Sequence, residues 1–369
     1  MKNILKRRYR KQHIGMDTHI SNLDFAVVND AGRLMKKTSV ATSVKNFMEF
    51  VRKVPPPRII YMEEGTLAGW VLEICTDFGE KLIITDPKEN HWIGSSGQKN
   101  DPLDALKLAQ LGRGGYIKEI HHPVGDRRRF RELMEAYHDN VRGTTRIKNK
   151  IKAKFRQNGI QCTGSTVYLA AYREEWATKL PDDTARLIVK GLWQQLQQFE
   201  QTEKQLLAAA KIEAKRYPEI KLFEDVPGIG FISAATISAI LVTPHRFADK
   251  RKVWMYAGLG LMKRSSGGKI YTEKLSNNYN RLLKYTLKQA AEVAIRTSDN
   301  PFRRKYLNKT VLHGVAPHRA KLTVARDIMT TLWVMWKKGE RYDPKIREKV
   351  ACKQSNGPVS PTYLSMPPH

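Results

Sequence analysis

Four carboxylates at three separated points of the chain have types and settings suited to binding a divalent metal ion. Asp17 lies in a predicted strand, Glu63 ends another, and Asp101 and Asp104 lie at the start of a predicted helix. Mg²⁺ prefers hard oxygen ligands, usually a few carboxylates together with water and substrate phosphate. Two such ions stabilise both the attacking and the leaving oxygen of a phosphoryl displacement. We therefore interpret these four residues as a candidate Mg²⁺ centre, with Mn²⁺ as an alternative ion.

Each carboxylate also has a structural interpretation. Asp101 precedes a proline at the start of the helix, where aspartate commonly caps, and Asp104 in the first turn suits the helix dipole. Asp17 could be an ordinary hairpin residue, and Glu64 is an alternative ligand to Glu63. The three-residue spacing of the helical pair places both on one face of the helix. The metal interpretation therefore requires the two strand-borne carboxylates to lie beside that helix.

A second candidate for chemistry is the serine pair Ser265-Ser266, which is followed by two glycines. A serine nucleophile needs an exposed hydroxyl, charge stabilisation of the transition state and assistance with deprotonation. Two serines and two glycines predict a flexible turn with open backbone N–H groups, and Lys263, Arg264 and Lys269 supply positive charge. The structural alternative is an ordinary Ser/Gly surface loop.

The charge balance points to nucleic acid. The chain of 369 residues has 65 Lys and Arg against 36 Asp and Glu, a net charge of +29. A net charge of about 2 to 8 in magnitude suffices for the solubility of a small domain. Such an excess is typical of proteins that contact the phosphate backbone, and it predicts salt-sensitive binding.

Cysteine usage and hydropathy exclude other classes. Cys75, Cys162 and Cys352 lack the spacing of a structural zinc site, and their small number is typical of a reducing cytosol. No apolar run reaches the roughly 18 residues of a membrane helix. The basic N-terminus lacks the apolar core of a secretory signal. We expect a cytoplasmic protein without a membrane partner.

Residues 1–125 predict an α/β domain with a mixed sheet. Two extended runs, 13–19 and 23–29, predict a hairpin, and strand–helix alternation follows. A helix is predicted over 101–111, stopped by the glycines that begin at Gly112.

Residues 126–217 predict a basic helical segment. Between Arg127 and Arg156 there are eleven Lys or Arg and three acidic residues, and near-heptad apolar spacing over 192–210 predicts a helical hairpin or coiled coil. That stripe is either an intramolecular core or a dimer seam, and the basic face is either solvated or a nucleic-acid surface. The candidate contacts are Arg127, Arg128, Arg129, Arg142, Arg146, Lys148, Lys150, Lys152, Lys154 and Arg156.

Residues 218–340 predict a mainly α third domain. The Pro-Gly-Ile-Gly segment is either a tight turn or the hairpin of a helix-hairpin-helix, in which the amides of Gly228 and Gly230 would meet phosphate. Residues 341–369 are rich in Ser, Asn, Gly and Pro towards their end and predict a flexible tail.

In their order and approximate spacing these motifs resemble one family of bacterial insertion-sequence transposases. Its members pair a DEDD-type RuvC-like domain with a C-terminal serine domain (insertion-sequence group one-ten), are related to Piv-type invertases and are also called bridge-RNA-guided recombinases. The resemblance covers roughly residues 12–340. It is carried by Gly15-Met16-Asp17-Thr18-His19, Met62-Glu63-Glu64-Gly65-Thr66, Asp101-Pro102-Leu103-Asp104-Ala105, Val226-Pro227-Gly228-Ile229-Gly230, Tyr256-Ala257-Gly258-Leu259, Ser265-Ser266-Gly267 and the series Leu283-Lys284, Leu287 and Ala290-Ala291.

The resemblance implies an RNase H-like fold and a divided active site. The four carboxylates would bind Mg²⁺, and Ser266, which stands beside Gly267, would attack a DNA phosphate and form a transient 5′-phosphoserine link, with Ser265 as the alternative nucleophile. The two sites would meet across protomers of a dimer or tetramer. A structured bridge RNA would select donor and target DNA in the bacterial nucleoid.

The chain departs from the family's motif pattern at one point, and two other functions stay open. Where many members have Gly-Asn before a Leu-Arg pair, this chain has Tyr279-Asn280 before Leu283-Lys284. The alternative functions are a RuvC-like Holliday-junction nuclease that hydrolyses with water and a non-catalytic nucleic-acid-binding protein.

Overall fold

A computed structural model describes residues 11–87, 101–266 and 269–344, with residues 101–103 and 263–273 described by their backbone alone. The chain divides into two compact units, residues 1–129 and 130–369. The residues of the predicted tail beyond 344 lie outside the described part.

A five-stranded mixed sheet organises the first unit. Its strand order is β3-β2-β1-β4-β5; β1 is antiparallel to β2 and parallel to β4, β2 is antiparallel to β3, and β4 is parallel to β5. This confirms the predicted α/β fold with a mixed sheet. The elements are β1 Gln12–Thr18, β2 Asn22–Asn29, β3 Leu34–Ala41, α1 Val44–Arg52, β4 Arg58–Glu63, α2 Ala68–Asp77, β5 Leu82–Thr85 and α3 Asp101–Arg113.

The main core of this unit lies on one face of the sheet. Side chains alternate between the two faces of a strand, so Ile14 and Met16 of β1 point to the same side as Ile60 and Met62 of β4. All four are buried, together with Phe47 of α1. Burial of such a side chain is worth about 1.5–3 kcal/mol. This face stabilises the sheet and leaves the other face for α3.

Helix α3 reaches the opposite face because Gly15 has no side chain. A Cβ atom on Gly15 would lie 1.8 Å from the carbonyl oxygen of Ala105 and 2.6 Å from the amide nitrogen of Ala109. Both obstacles are backbone atoms, so any larger residue would force the helix away from the strand. Gly15 thus brings the first half of α3 against the middle of β1.

The helix predicted over 101–111 runs two residues further, to Arg113, and ends within the predicted glycine run, before Gly114-Gly115. A Cβ atom on Gly112 would lie 2.5 Å from the ring of Tyr61. Gly112 therefore lets the helix pass over a buried aromatic ring, and it does not end the helix.

The second unit is mainly helical. Short 3₁₀ turns, a π-helical turn Asn308–Leu312 and one β-hairpin complete it. This agrees with the predicted mainly α C-terminal region. Its elements are α4 Gly125–Gln157, which begins in the first unit, α5 Arg173–Thr178, α6 Asp183–Glu213, α7 Glu219–Glu224, α8 Phe231–Leu241, α9 Lys250–Tyr256, β6 Leu261–Ser266, β7 Lys269–Leu275, α10 Arg281–Arg296, α11 Pro301–Leu307 and α12 Pro317–Lys338.

The near-heptad stripe of α6 packs inside the chain. Leu196 and Ala210 are fully buried, and the side-chain amide of Asn140 on α4 donates to the carbonyl oxygen of Phe199 at 2.8 Å. Of the two interpretations of the stripe, these contacts match the intramolecular core.

The turn that contains Gly228 packs on α10. Gly228 has φ +89°, and a Cβ atom there would lie 2.3 Å from the carbonyl oxygen of Ala290. Nearby, the buried hydroxyl of Ser238 on α8 donates to Glu219 on α7 at 2.5 Å. These contacts hold α7, the turn and α8 as a compact helical hairpin. Among the described residues, no helix is long and apolar enough to span a bilayer.

Candidate functional site

Three of the four predicted carboxylates lie around one edge of the first unit's sheet. Because β1 and β4 are parallel and Met16 is paired with Met62, Asp17 and Glu63 follow at the same level, where both strands end. Asp17 shares a face with Gly15, two residues earlier, and this is the face that α3 covers. Glu63 shares that face with Tyr61, the register partner of Gly15.

The other two predicted carboxylates, Asp101 and Asp104, lie on α3. Asp104 directly precedes Ala105, whose carbonyl oxygen lies against Gly15. The close contact between strand and helix therefore brings the first turn of α3 towards the end of β1 that carries Asp17. Asp101 begins the helix, one turn earlier, and its side chain lies outside the described part of the chain.

Asp17 and Asp104 each have a contact with a residue nearby in the sequence. Oδ1 of Asp17 accepts from the amide of Thr18 at 2.9 Å, and Oδ2 lies 3.3 Å from Nε2 of His19. Oδ1 of Asp104 lies 3.3 Å from Nζ of Lys107, and the Asp104 side chain is 44% exposed. Exposed pairs of this kind are worth about 0–1 kcal/mol. The pair with Lys107 therefore holds Asp104 only weakly against a competing cation.

Glu64 has a different setting from Glu63. Its carboxylate lies 2.5 Å from Nε2 of His122, and its amide donates to the carbonyl oxygen of Thr85 at 2.8 Å. Glu63 instead continues the strand register, opposite Thr85 of β5. The structure thus assigns Glu64 a protein partner and leaves both glutamates as candidate ligands.

Sequence reasoning missed a fifth carboxylate at the same edge. Asp24 of β2 is the register partner of Asp17, so both side chains point to the face that α3 covers. Asp24 is 8% exposed, and it accepts from the side-chain amide of Asn22 at 2.6 Å. Directly opposed like charges destabilise a sheet. The signal was the predicted hairpin itself, whose register pairs these two positions.

The chemistry of this edge fits a hard divalent cation. Oxygen ligands dominate it, and the opposed Asp17 and Asp24 would be neutralised by positive charge. Among the residues whose side chains the structure describes, which leave out Asp101, no three His, Cys, Asp or Glu form a ready-made metal cluster. Mg²⁺ does not require one, because it usually keeps several waters and binds through one or two carboxylates and substrate phosphates.

The serine pair lies in a strand, which corrects the predicted flexible turn. Ser265 and Ser266 end β6, where Ser265 pairs with Ile270 and Ser266 with Lys269 of β7. The ladder has an irregularity between Arg264 and Ser265. A two-residue Gly-Gly connection between extended runs is a hairpin signal, and β7 is rich in β-forming residues. Gly267 and Gly268, and the side chains of Lys263, Arg264 and Lys269, lie outside the described part.

The base of this hairpin is anchored in the helical core. The amide of Ser276, just after β7, donates to the carbonyl oxygen of Gly260 at 3.3 Å. Nε of Arg326 on α12 donates to the carbonyl oxygen of the fully buried Leu259 at 2.6 Å. At the start of β6, Leu261 is 46% and Met262 37% exposed.

The predicted basic contacts divide into paired and outward-facing residues. Arg128 donates two hydrogen bonds to the carboxylate of Glu73, at 2.9 and 3.0 Å. Arg129 pairs with Asp126 at 3.6 Å, and Arg142 pairs with Asp139. Arg146, Lys150 and Arg156 are exposed to solvent, as are the two paired residues Arg129 and Arg142.

Two of the lysines of α4 lie over an aromatic ring. Nζ of Lys148 is 5.6 Å and Nζ of Lys152 is 5.4 Å from the ring centre of Tyr168. Lys152 also donates to the carbonyl oxygen of Gly164 at 2.8 Å. This part of the basic face therefore stabilises the segment that follows α4. In the turn predicted to meet phosphate, Gly228 packs on α10 and Gly230 is exposed, and phosphate contact by their amides stays a prediction.

Comparison with known proteins gives matches over both units. A family model described as a transposase, of the DEDD type of IS110, matches residues 14–158. A second, described as the transposase IS116/IS110/IS902 family, matches residues 220–307. The first range contains all five carboxylates, and the second contains the serine hairpin.

Individual relatives are distant. The chain is 21% identical over 248 residues to the transposase for insertion sequence element IS1111A of Coxiella burnetii, covering 66% of this chain and 68% of that protein. It is 23% identical over 341 residues to the putative transposase y4pF/y4sB of Sinorhizobium fredii, covering 89% and 85%. It is 24% identical over 163 residues to an insertion element IS110 protein of Streptomyces coelicolor, covering 44% and 40%.

Proposed function

Because the chain belongs to the IS116/IS110/IS902 family of transposases, we propose that it exchanges DNA strands through Mg²⁺ and a serine nucleophile. Family membership makes it an enzyme that cuts and rejoins DNA, and the DEDD domain indicates use of a divalent metal ion. The proposal adds four points: Mg²⁺ as the ion, Ser266 as the nucleophile, a bridge RNA as the guide, and a homo-oligomer as the assembly.

The acidic edge of the sheet is the observation that carries the proposal. Asp17 and Glu63 end adjacent parallel strands, and Gly15 brings the start of α3 to the same face. Asp17, Glu63, Asp101 and Asp104 would hold Mg²⁺ there, and Asp24 would add negative charge beside Asp17. Bound Mg²⁺ would neutralise charge that develops on the phosphate oxygens.

The serine would exchange one phosphodiester for another. The Oγ atom of Ser266 attacks the phosphorus, and the bond to the 3′-oxygen breaks, so that a 3′-hydroxyl and a 5′-phosphoserine ester result. The 3′-hydroxyl of another strand then attacks the same phosphorus and releases the serine. The energy of the phosphodiester is retained in the ester, so rejoining needs no further energy source.

Guidance and assembly belong to the same proposal. A structured bridge RNA would pair with donor and target DNA, and the exposed basic residues of α4 would contact the phosphates of RNA or DNA. A homo-oligomer, dimer or tetramer, would bring the acidic residues of one protomer to the serine of another. The net charge of +29 supports binding to extended nucleic acid.

A covalent-trapping experiment tests the nucleophile. Cleavage of a radiolabelled donor end is stopped with detergent, and the protein–DNA adduct is measured by gel electrophoresis. We expect an adduct with the unaltered protein and with Ser265→Ala, and none with Ser266→Ala. Adduct formation by both single variants would contradict a serine nucleophile. Free cleaved ends without any adduct would favour the RuvC-like nuclease.

A co-purification experiment tests the guide. The protein is produced beside the DNA that flanks its gene, and bound RNA is sequenced after nuclease treatment. We expect one discrete RNA that maps to the flanking DNA. A heterogeneous set of cellular RNAs would contradict guidance and would leave the serine chemistry untouched.

A further inference from the structure

A cavity of about 620 Å³ opens in the second unit between α4, α8 and α10. Pockets that hold one drug-sized molecule measure about 300–1,000 Å³. The walls include the aliphatic side chains of Val141, Ile232 and Leu282. The cavity is therefore suited to one compact, largely apolar group and cannot admit a duplex.

Positive and aromatic side chains border this cavity. Arg142 of α4 and Arg281, the first residue of α10, are both exposed at its edge, and Tyr285 is 55% exposed. A guanidinium group binds phosphate oxygens through paired hydrogen bonds. Arg142 also contacts Asp139 on its own helix, an exposed pair of the kind that contributes little. The border thus offers charge for a phosphate and a flat face for stacking.

His138, which also lines the cavity, is hydrogen-bonded to Thr236 of α8. The hydroxyl of Thr236 donates to the carbonyl oxygen of Ile232 at 2.7 Å, and Nε2 of His138 lies 2.8 Å from the same hydroxyl oxygen. That hydroxyl has one proton, so Nε2 of His138 is the donor to it, and the neutral ring keeps Nδ1 as an acceptor. Burial, followed by the charge of Arg142, lowers the pKa of His138 and maintains the neutral ring.

We propose that this cavity receives one unpaired nucleotide of the bound nucleic acid, with its base against Tyr285 and its phosphate at Arg281 and Arg142. The inference rests on the proposed function, because it takes nucleic acid as the substrate. Extruding a base costs least where the base is already unpaired. The occupant is therefore a bulged or unpaired nucleotide and not one taken from an intact duplex.

The chemistry of the walls favours a nucleotide over other anions. An acidic peptide would satisfy the arginines but has no planar group for Tyr285 and no ring N–H donor for His138. A bare phosphate would leave the aliphatic walls in contact with water. A nucleobase supplies two apolar faces and N–H donors at its edge, and its backbone supplies the phosphate.

Three matched duplexes test the occupant. One is fully paired, the second carries a single bulged nucleotide, and the third carries an abasic residue at the bulge, which keeps the phosphate and removes the base. Affinities are measured by fluorescence anisotropy with the full chain, once with DNA and once with RNA bulges. We expect the bulged duplex to bind most tightly. If the preference for the bulge is larger with RNA than with DNA, the nucleotide comes from RNA, and the reverse result assigns it to DNA.

Substitutions then connect the preference to the cavity. Tyr285→Ala should lower affinity for the bulged duplex by about 5- to 150-fold, the range for one stacked base, and leave the abasic duplex unchanged. Arg281→Ala should weaken both. The matched controls are Tyr172→Ala, an exposed tyrosine elsewhere in this unit, and Arg319→Ala, an exposed arginine on α12. Neither control should change the preference for the bulge.

The failures are distinguishable. Equal affinity of the unaltered protein for the three duplexes, or equal effects of Tyr285→Ala and Tyr172→Ala, would overturn this inference while leaving the transposase proposal intact. Failure to bind any of the duplexes would contradict the nucleic-acid function itself and the cavity inference with it.

Discussion

The two candidate halves of the active site are held by different kinds of structure. Asp17 and Glu63 end strands at the centre of a five-stranded sheet, with a buried core on one face and α3 on the other. Ser266 ends a strand of a two-stranded hairpin whose base is anchored in the helical core. An isolated two-stranded hairpin is marginally stable in water.

This difference indicates which of the two candidate sites has its geometry fixed by the fold of its own unit. The carboxylates have their positions once the first unit has folded, because strand register and the contact at Gly15 determine them. The position of the serine depends on the base of the hairpin and on any molecule that packs against the hairpin. Substitutions should therefore affect stability strongly in the first region and weakly in the second.

The largest expected effect is on catalysis at the acidic edge. Asp17→Asn should lower DNA cleavage by at least about 100-fold, as expected when a group that stabilises the transition state is lost. The melting temperature should not fall, because the change removes a charge opposite Asp24. Single-turnover cleavage measures the effect, with the exposed Asp77→Asn on α2 as control. Retained cleavage by Asp17→Asn would refute the metal centre.

The next largest effect is on stability. Gly15→Val should lower the free energy of unfolding by about 3 kcal/mol, the upper end for overpacking, because the obstructing atoms belong to the α3 backbone. Gly65→Ala, which meets no atom within 4 Å, is the control. Leu261→Thr on the serine hairpin should change stability by less than about 0.5 kcal/mol. Urea unfolding measures all three, and a larger effect at Leu261 would reverse the comparison.

A smaller effect separates a structural arginine from a nucleic-acid contact. Arg128→Ala should lower the free energy of unfolding by about 1–2 kcal/mol through the loss of its paired bonds to Glu73, without changing DNA affinity. Arg146→Ala, at an exposed position, should leave stability unchanged and reduce the slope of log affinity against log salt by about 1. If Arg128→Ala changed the salt dependence of DNA affinity and left stability unchanged, the pairing with Glu73 would be dispensable for the fold.

The opposed aspartates give a smaller effect with a distinctive sign. Without divalent ions, Asp24→Asn should raise the free energy of unfolding by about 0.5 kcal/mol, because like charges across strands repel. The same variant should reduce the rise in melting temperature that Mg²⁺ causes. Differential scanning fluorimetry with and without Mg²⁺ measures both. An unchanged response to Mg²⁺ would place Asp24 outside the centre.

The smallest effect is a pH dependence at the other end of β1. His13 is buried, its Nδ1 lies 3.0 Å from the Tyr61 hydroxyl, and burial lowers its pKa below 6.5 despite the bond to Asp30. Its contribution is therefore present above the unfolded pKa of 6.5 and is lost as the pH falls through the folded value. The urea midpoint should decrease from pH 7.5 to pH 5, and His13→Gln should reduce that decrease.

The control for this titration is the exposed His318→Gln, which should retain the full decrease. The bond from His13 lowers the pKa of Asp30 below 3.8, so the contribution of Asp30 is lost only at still lower pH. A decrease that is the same with and without His13 would assign the pH dependence to other groups.

Local patterns predicted the sheet, while distant contacts escaped them. Alternating apolar residues over 13–19 and 23–29 predicted β1 and β2, and the register of that hairpin then pairs Asp17 with Asp24. The pairing was missed because Asp24 carries no motif of its own. The close contact of Gly15 with Ala105 joins residues far apart in sequence, which periodicity cannot show.

The serine segment shows how residue type can mislead. Ser265 and Ser266 beside two glycines favoured a turn, but pairing with β7 makes both part of a strand. Arg128 was interpreted from charge density, whereas its partner Glu73 lies on a helix that precedes it by more than fifty residues. Residue type and the order of the motifs along the chain were enough to predict the two candidate sites. They could not show which residues contact each other in the folded chain.

The alternation of β1 restricts how this sheet can diverge in evolution. Met16 faces the apolar core and Asp17 the acidic edge, so the insertion of one residue upstream in the strand would exchange the two environments. A carboxylate would then enter the core and a methionine would occupy the metal edge. Insertions and deletions in related chains should therefore be absent from the interior of this strand and should accumulate at the turn between β1 and β2.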